Sequence, residues 1–221
     1  MEFFLDILRS VAYGVIEGIT EWLPISSTGH MILAEQVLKF SFSTEFMEMF
    51  RVVIQLGAIL AVVVLYFKKL WPFCADNGRD SGFSRHFRWP VVRLWCKIIV
   101  ACVPAAVLGL LLDDWLDAHL YNSITVALML IIYGIAFIMI ERRPRVPTTT
   151  KLSRITYKQA LIVGAWQVLA LIPGTSRSGS TIIGGLLCGM SRPAASQFTF
   201  FLAIPVMAGA SGLKLVKFLA K

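Results

Sequence analysis

The chain has 221 residues, of which 57% are hydrophobic and 15% are charged, and its mean hydropathy is +0.74. These values are typical of a polytopic membrane protein and exclude a soluble enzyme or binding domain. The formal net charge of +8 does not indicate a nucleic-acid partner, because the basic residues are concentrated in two loops between apolar segments, as the positive-inside rule requires.

The first apolar segment, residues 3–23, is interrupted by two carboxylates. Glu17 and Glu21 are four residues apart, so on a helix both side chains lie on one face. Pro24 predicts the end of that helix. The next apolar segment, residues 31–40, is too short to cross a hydrocarbon core, which takes about 20 residues. The two segments together predict a re-entrant helical hairpin.

The loop at the tip of this hairpin carries hydroxyls, a glycine and an imidazole. Ser26, Ser27 and Thr28 can cap a second helix, whose free N–H groups attract an anion. Gly29 allows a ligand to approach the backbone closely. His30 follows Ser27 by three residues, which on a helix places the imidazole on the same face as the hydroxyl. A base that activates a hydroxyl nucleophile needs this arrangement.

Three segments that are long enough to span a membrane follow, at residues 46–67, 95–112 and 123–140. An acidic turn separates the second from the third and contains Asp113, Asp114 and Asp117. Basic residues occupy the loops after the first and third: Lys68, Lys69, Arg79, Arg85, Arg88 and Arg93, then Arg142, Arg143, Arg145, Lys151, Arg154 and Lys158. The positive-inside rule predicts that both loops are cytoplasmic. The first hairpin then enters from the outer face, and residues 159–190 enter from the inner face.

A second polar stretch, residues 173–181, again places a proline, small residues and hydroxyls between apolar segments. Its one fixed charge is Arg177, whose guanidinium can hold two phosphate oxygens at once. The candidate substrate-binding residues around it are Gly174, Thr175, Ser176, Ser178 and Thr181. Together with the loop around Ser27, this stretch predicts a phosphate site.

The two hairpins also resemble each other at a nearly constant offset. The matched pairs are Gly14 and Gly164, Glu17 and Gln167, Pro24 and Pro173, and Ser27 and Ser176. This pattern predicts an inverted repeat within a single membrane domain, residues 1–221, in which residues 1–145 form one unit and residues 151–221 an incomplete second unit. In such repeats, broken helices meet near the membrane midplane and point their N-termini at a ligand. The second unit has one span after its hairpin, residues 197–219, so we expect two C-terminal spans to be missing.

The stretches at residues 17–30 and 173–181 resemble the signature motifs of the undecaprenyl-diphosphate phosphatase family, the bacitracin-resistance type of integral membrane phosphatase. The resemblance runs from Met1 to about Lys217. It implies hydrolysis of undecaprenyl diphosphate to undecaprenyl phosphate and inorganic phosphate, which recycles the lipid carrier for cell-wall polymer synthesis and gives bacitracin resistance. It also implies a multi-pass protein of the bacterial inner membrane, with a site that opens to the outer side.

The chemistry that the resemblance implies can be assigned to particular residues. Arg177 and the two helix N-termini supply a positive field around the phosphate. Ser27 is the candidate nucleophile and His30 its base, with Ser26 as the second candidate and direct attack by water as the third. Ser176, Ser178 and Thr181 donate hydrogen bonds to phosphate oxygens.

The paired carboxylates have two possible roles. Glu17 and Glu21 can hold Mg²⁺ or Ca²⁺ against the diphosphate, and the family's use of a divalent metal favours that role for at least one of them. Alternatively, one of them acts as an acid and base. Arg51 and Gln55 share a helical face near the outer end of their span, where they either line the cavity or form a structural pair.

A carrier that flips an anionic polyprenyl lipid without cleaving it is the alternative function, because hairpins that meet near the midplane are also a transporter architecture. Such a carrier does not need Ser27, His30 or the paired acids. In either case the predicted partners are a polyprenyl diphosphate lipid and the bilayer, and a homo-oligomer is left open.

Overall fold

The computed structural model describes residues 2–74, 86–120, 122–143 and 146–220, and within these ranges the chain is helical and contains no β-strand. The α-helices are α1 (Glu2–Thr20), α2 (Ser27–Leu38), α3 (Thr44–Leu65), α4 (Phe67–Leu70), α5 (Trp89–Leu120), α6 (Ser123–Glu141), α7 (Tyr157–Gln167), α8 (Arg177–Leu187) and α9 (Arg192–Leu219). Short 3-10 helices lie at Leu152–Arg154 and Val168–Leu171. Arg79, Arg85 and Arg145 of the predicted basic loops lie outside the described residues.

Four of the described helices are long and apolar enough to cross a membrane. They are α3, the Trp89–Leu112 part of α5, α6 and α9. Their outward faces expose large apolar side chains such as Leu60, Leu110 and Ile131, which a lipid environment accepts. These helices coincide with the four predicted spans and confirm an all-α polytopic membrane protein.

Helix α5 is longer than predicted. It continues through Asp113, Asp114 and Asp117, so the acidic turn expected at these residues is wrong. Acidic residues end the apolar part of a helix without breaking its backbone hydrogen bonds. The turn comes later, next to Asn122, whose side chain caps α6 by accepting from the Thr125 N–H at 2.9 Å. The side chains of the three aspartates lie outside what the structure describes.

The two predicted hairpins are formed by α1 with α2 and by α7 with α8. Their returning arms, α2 with 12 residues and α8 with 11, are too short to cross a hydrocarbon core. The backbone between the arms is irregular, and in a membrane such backbone is stable only where other protein elements enclose it. The surrounding spans must therefore enclose the irregular backbone of the tips.

The second hairpin is fixed against α5 and α9 by a buried apolar core. Ile98 of α5, Val163 of α7 and Phe198 of α9 are almost completely buried in this cluster. Helix α7 comes very close to α5 because Gly164 has no side chain: a Cβ atom there would lie 2.3 Å from the carbonyl oxygen of Ala101. This contact fixes how closely α7 packs against α5, and it thereby fixes the position of the tip of the second hairpin.

Helix α6 packs against the tips of both hairpins. A Cβ atom on Gly29 would lie 3.3 Å from the Leu130 side chain, and one on Gly174 would lie 2.6 Å from the Val126 backbone. Gly174 also has φ +87°, in the left-handed region that favours glycine. Close packing against α6 therefore accounts for both glycines, which the sequence alone assigns to substrate binding.

We expect Gly164→Ala to destabilise the protein by roughly 1–3 kcal/mol, because the added methyl group overlaps the Ala101 carbonyl and forces α7 away from α5. The matched control is Gly134→Ala in α6, where nothing lies within 4 Å of the added Cβ atom and alanine is the better helix former. Thermal unfolding in detergent measures both variants. Equal melting temperatures would contradict the close contact between α5 and α7.

Candidate functional site

The two hairpin tips are joined by an ion pair between residues 156 positions apart. Nη2 of Arg177 lies 2.8 Å from Oε1 of Glu21, and the two side chains are only 11% and 5% exposed. Beside this pair, the Ser178 hydroxyl donates to the Leu23 carbonyl at 3.3 Å. A charge-assisted hydrogen bond between buried groups is among the stronger polar contacts in proteins. The predicted convergence of the two loops is therefore confirmed.

The Ser27 hydroxyl donates to the other carboxylate oxygen of Glu21, with 2.5 Å between Oγ and Oε2. The structure thus gives Ser27 a different partner from the predicted base, His30. Nδ1 of His30 lies 2.9 Å from the Ser26 carbonyl oxygen. Because a carbonyl only accepts, Nδ1 donates this bond, and in the neutral tautomer that donates from Nδ1 the lone pair lies on Nε2. Thr28, which follows Ser27 in the first turn of α2, is half-buried.

The capping residues define the register of the repeat. Ser26 caps α2 by accepting from the Gly29 N–H at 3.4 Å, and Ser176 caps α8 by accepting from the Gly179 N–H at 3.0 Å. Ser176 therefore corresponds to Ser26 and not, as predicted, to Ser27. The predicted register is one residue out at the tip because the second loop has an extra residue between its proline and its cap.

The corrected register pairs Ser27 with Arg177 and His30 with Ser180. The Ser180 hydroxyl donates to the Ser176 carbonyl at 3.0 Å, as His30 does to its own capping residue. Ser180 is also hydrogen bonded to the Tyr133 hydroxyl at 2.9 Å. The two tips therefore share the serine cap and the bond back to its carbonyl, and they differ in the backbone conformation of the capping residue and in the chemistry of the side chains that follow it.

Most hydroxyls of residues 173–181, the polar stretch at the tip of the second hairpin, are hydrogen bonded within the protein. Ser176 and Ser178 are bonded to each other at 3.1 Å, and Thr181 donates to the Arg177 carbonyl at 2.9 Å. Thr199 of α9 donates to Thr181 at 3.0 Å, and its carbonyl accepts from Nη1 of Arg177 at 3.3 Å. Sequence reasoning missed Thr199, because a threonine inside an apolar span has no motif around it.

Several buried polar atoms have no hydrogen-bond partner in the described residues, and all of them belong to the two hairpins. They are Oε1 of Glu17, both amide atoms of Gln167, Oγ1 of Thr175 and Nε of Arg177. Glu17 is 1% exposed, and the charges of Glu21 and Arg177 both act on it. An unpaired buried polar group costs about 1–3 kcal/mol, so these atoms require a ligand or water. Their concentration at the tips marks a binding site.

A separate polar cluster ties α1, α2 and α3 together. Nε of Arg51 lies 3.3 Å from Oε1 of Glu35, and the Tyr13 hydroxyl donates to the same carboxylate. Of the two roles left open for Arg51, the structure supports a structural pair, although the partner is Glu35 and not Gln55. Sequence reasoning missed Tyr13 and Glu35, which lie just outside the motif at residues 17–30.

The tips offer a limited set of metal ligands. No group of three or more His, Cys, Asp or Glu side chains that could hold an ion occurs in the part of the chain that the structure describes. Both oxygens of Glu21 are engaged, by Ser27 and Arg177, while Glu17 keeps an unpartnered oxygen. This set fits Mg²⁺, which uses one or two carboxylates with substrate phosphates and water, better than Ca²⁺, which takes about six to eight oxygen ligands.

A family profile described as bacitracin resistance protein BacA matches residues 10–221, a region that includes both tips. The chain belongs to the BacA family. Among its BacA relatives, an Enterococcus faecalis protein named undecaprenyl-diphosphatase is 60% identical over 99% of this chain and 78% of its own length. Proteins of the same name from Streptococcus sanguinis and Desulfitobacterium hafniense are 56% and 57% identical, covering 98% and 97% of this chain and 76% of each relative.

We expect Glu21→Gln to lower thermal stability strongly, because it leaves the buried Arg177 guanidinium without its counter-charge, and breaking a buried pair in this way costs about 3–5 kcal/mol. Glu17→Gln should leave stability unchanged or raise it, since Oε1 of Glu17 has no partner among the described residues. Both variants are compared by thermal unfolding in one detergent. A larger loss for Glu17→Gln would overturn this assignment of roles.

Proposed function

We propose that this chain removes the terminal phosphate of undecaprenyl diphosphate and releases undecaprenyl phosphate and inorganic phosphate. One observation carries the proposal: Ser27, Glu21 and Arg177 form one hydrogen-bonded line at the junction of the tips, beside unpartnered polar atoms. A nucleophile, a proton acceptor and a fixed cation are the groups that phosphoryl transfer uses. The name of the relatives, undecaprenyl-diphosphatase, supports the choice of substrate.

The terminal phosphate binds where the second hairpin offers donors. Nε of Arg177 has no partner among the described residues and can donate to a phosphate oxygen while Nη2 stays on Glu21. The Thr175 hydroxyl is buried and also lacks a described partner. The N-termini of α2 and α8 add positive partial charge at the same junction. In an enclosed site these fixed dipoles act more strongly than they do in water.

In the first step, Oγ of Ser27 attacks the terminal phosphorus and its proton passes to Oε2 of Glu21. The bond from phosphorus to the bridging oxygen breaks, and undecaprenyl phosphate leaves. Water then attacks the phosphorus of the phosphoserine while Nε2 of His30 takes the proton of that water. The bond from phosphorus to Oγ breaks, Glu21 returns its proton to Oγ of Ser27, and inorganic phosphate leaves. Glu21 thus takes the role predicted for His30 in the first step. Direct attack by water on the substrate uses the same base and omits the phosphoserine.

Of the two carboxylates, Glu17 would hold a divalent cation, Mg²⁺ in preference to Ca²⁺, together with the diphosphate, because both oxygens of Glu21 are engaged by Ser27 and Arg177. The unpartnered oxygen of Glu17 supports this assignment. When bound, such a cation supplies neutralisation of the diphosphate charge.

We further propose that the protein lies in the bacterial inner membrane with both basic loops in the cytoplasm and the junction open to the outer side. Lys68 and Lys69 follow α3, while Lys151 and Arg154 follow α6, which is the distribution that the positive-inside rule associates with the cytoplasmic face. Hydrolysis on the outer side returns a lipid carrier for cell-wall polymer synthesis. The family description links such proteins with bacitracin resistance.

The proposal is tested by measuring phosphate release from undecaprenyl diphosphate by the purified chain in detergent, with and without a chelator. We expect release that the chelator lowers and added Mg²⁺ restores. A folded sample that binds the lipid without releasing phosphate would overturn the proposal in favour of an anionic-lipid carrier.

We expect Ser27→Ala to lower kcat at least about 100-fold, because the attacking hydroxyl is lost. The matched variant is Ser26→Ala, which removes the cap of α2, costs about 1 kcal/mol of stability and keeps most of kcat. Steady-state phosphate release and thermal unfolding separate the two effects. The reverse pattern identifies Ser26 as the nucleophile, and near-normal kcat in both variants indicates direct attack by water.

A further inference from the structure

Gln167 is a buried amide at the point where the apolar face of α7 ends. Ala160, Val163 and Gln167 lie three and four residues apart on this face, and each is almost completely buried. Gln167 is 2% exposed, and neither its Oε1 nor its Nε2 has a hydrogen-bond partner in the described residues. An amide has two donors and one acceptor, so burying it unpaired is costly.

The same helix contains an amide that is fully hydrogen bonded. Gln159 is 8% exposed; its Oε1 accepts from the Thr156 N–H at 3.0 Å, and its Nε2 donates to the Thr149 hydroxyl and the Cys188 carbonyl, both at 3.1 Å. Gln159 therefore has a structural role that its bonds explain. Gln167, two turns further along α7, has none of these bonds, and the fold itself gives no reason for an amide there.

The corrected register of the repeat relates Gln167 to Glu17. Glu17 lies ten residues before Ser27, and Gln167 lies ten residues before Arg177. Both are buried and both have an unpartnered side-chain atom. Glu17 can only accept a hydrogen bond when ionised, whereas the Gln167 amide donates two. At these two positions the first hairpin has an acceptor, Glu17, and the proposed nucleophile, Ser27. The second hairpin has hydrogen-bond donors there, Gln167 and Arg177.

We propose that Gln167 is a substrate-binding residue whose Nε2 donates to an oxygen of the diphosphate bound at Arg177. The inference rests on the proposed function and adds a contact that neither motif of the sequence includes. The oxygens of an ionised diphosphate are acceptors only, so a donating amide suits them and a carboxylate at this position does not. Binding would give Nε2 of Gln167 the acceptor that it lacks.

The test compares Gln167→Met with Gln159→Met, two substitutions of the same chemistry on one helix. Without ligand, Gln167→Met should melt at or above the wild-type temperature, because it removes an unpaired amide. Gln159→Met should melt at a lower temperature, because it breaks the three hydrogen bonds named above. Gln167→Met should raise the KM for undecaprenyl diphosphate about tenfold or more, and should lose most of the thermal stabilisation that this lipid gives the wild type. Gln159→Met should keep both the KM and this stabilisation.

A Gln167→Met protein that melts lower than wild type and keeps the wild-type KM would show a structural amide and overturn the proposal. Gln167→Glu provides a second variant that keeps size and polarity but removes the amide donors, and it should also raise the KM. If the wild type binds the lipid without hydrolysing it, the proposed function fails while the stabilisation measurement still decides the role of Gln167. Equal stabilisation of the wild type and Gln167→Met, or none in either, contradicts the contact.

Discussion

A charge buried without a partner costs several kcal/mol in a protein interior, and inside a membrane protein there is no bulk water to relieve it. Glu21 and Arg177 are therefore stable only together, and their contact holds two hairpin tips in one place. Helices that enclose the tips are needed because unpaired polar groups of the backbone are also costly away from water. Tip backbone cannot face lipid, and α6 closes over both tips, against Gly29 on one side and Gly174 on the other.

The balance of charge at the junction bears on the proposed cation. When both are ionised, Glu17 and Glu21 carry more negative charge than Arg177 balances, which disfavours binding of a diphosphate. Helix N-termini provide only partial charges and do not reverse that balance. The proposed divalent cation would offset this negative charge, and it would give a partner to the Glu17 oxygen that has none among the described residues.

Segment length and residue type were enough to predict the spans and both hairpins, and the repeat pattern predicted the meeting of the tips. They were not enough for contacts that depend on the backbone path within a tip. Ser26 adopts φ +63°, an unusual conformation for serine, and spacing on an ideal helix does not anticipate that Ser27 bonds to Glu21 and not to His30. The sequence pairs Gln167 with Glu17 in the repeat, which marks its position as one of interest. That its amide is buried without hydrogen-bond partners among the described residues is visible only in the structure.

Phosphoryl transfer requires a site with two different sides, one for attack and proton removal and one for holding the phosphate charge. A repeat with identical side chains in both halves would give two nucleophiles or two cations. The structure keeps the cap of the returning helix the same in both tips, since Ser26 and Ser176 each accept from the N–H group three residues further on. It varies the residues that follow them: Ser27 donates a hydrogen bond to Glu21, whereas Arg177 supplies a positive charge to the same carboxylate. The proposed contact of Gln167 adds one more hydrogen-bond donor to the second hairpin. Donation to the phosphate is then the property that the proposed binding residues of this hairpin share.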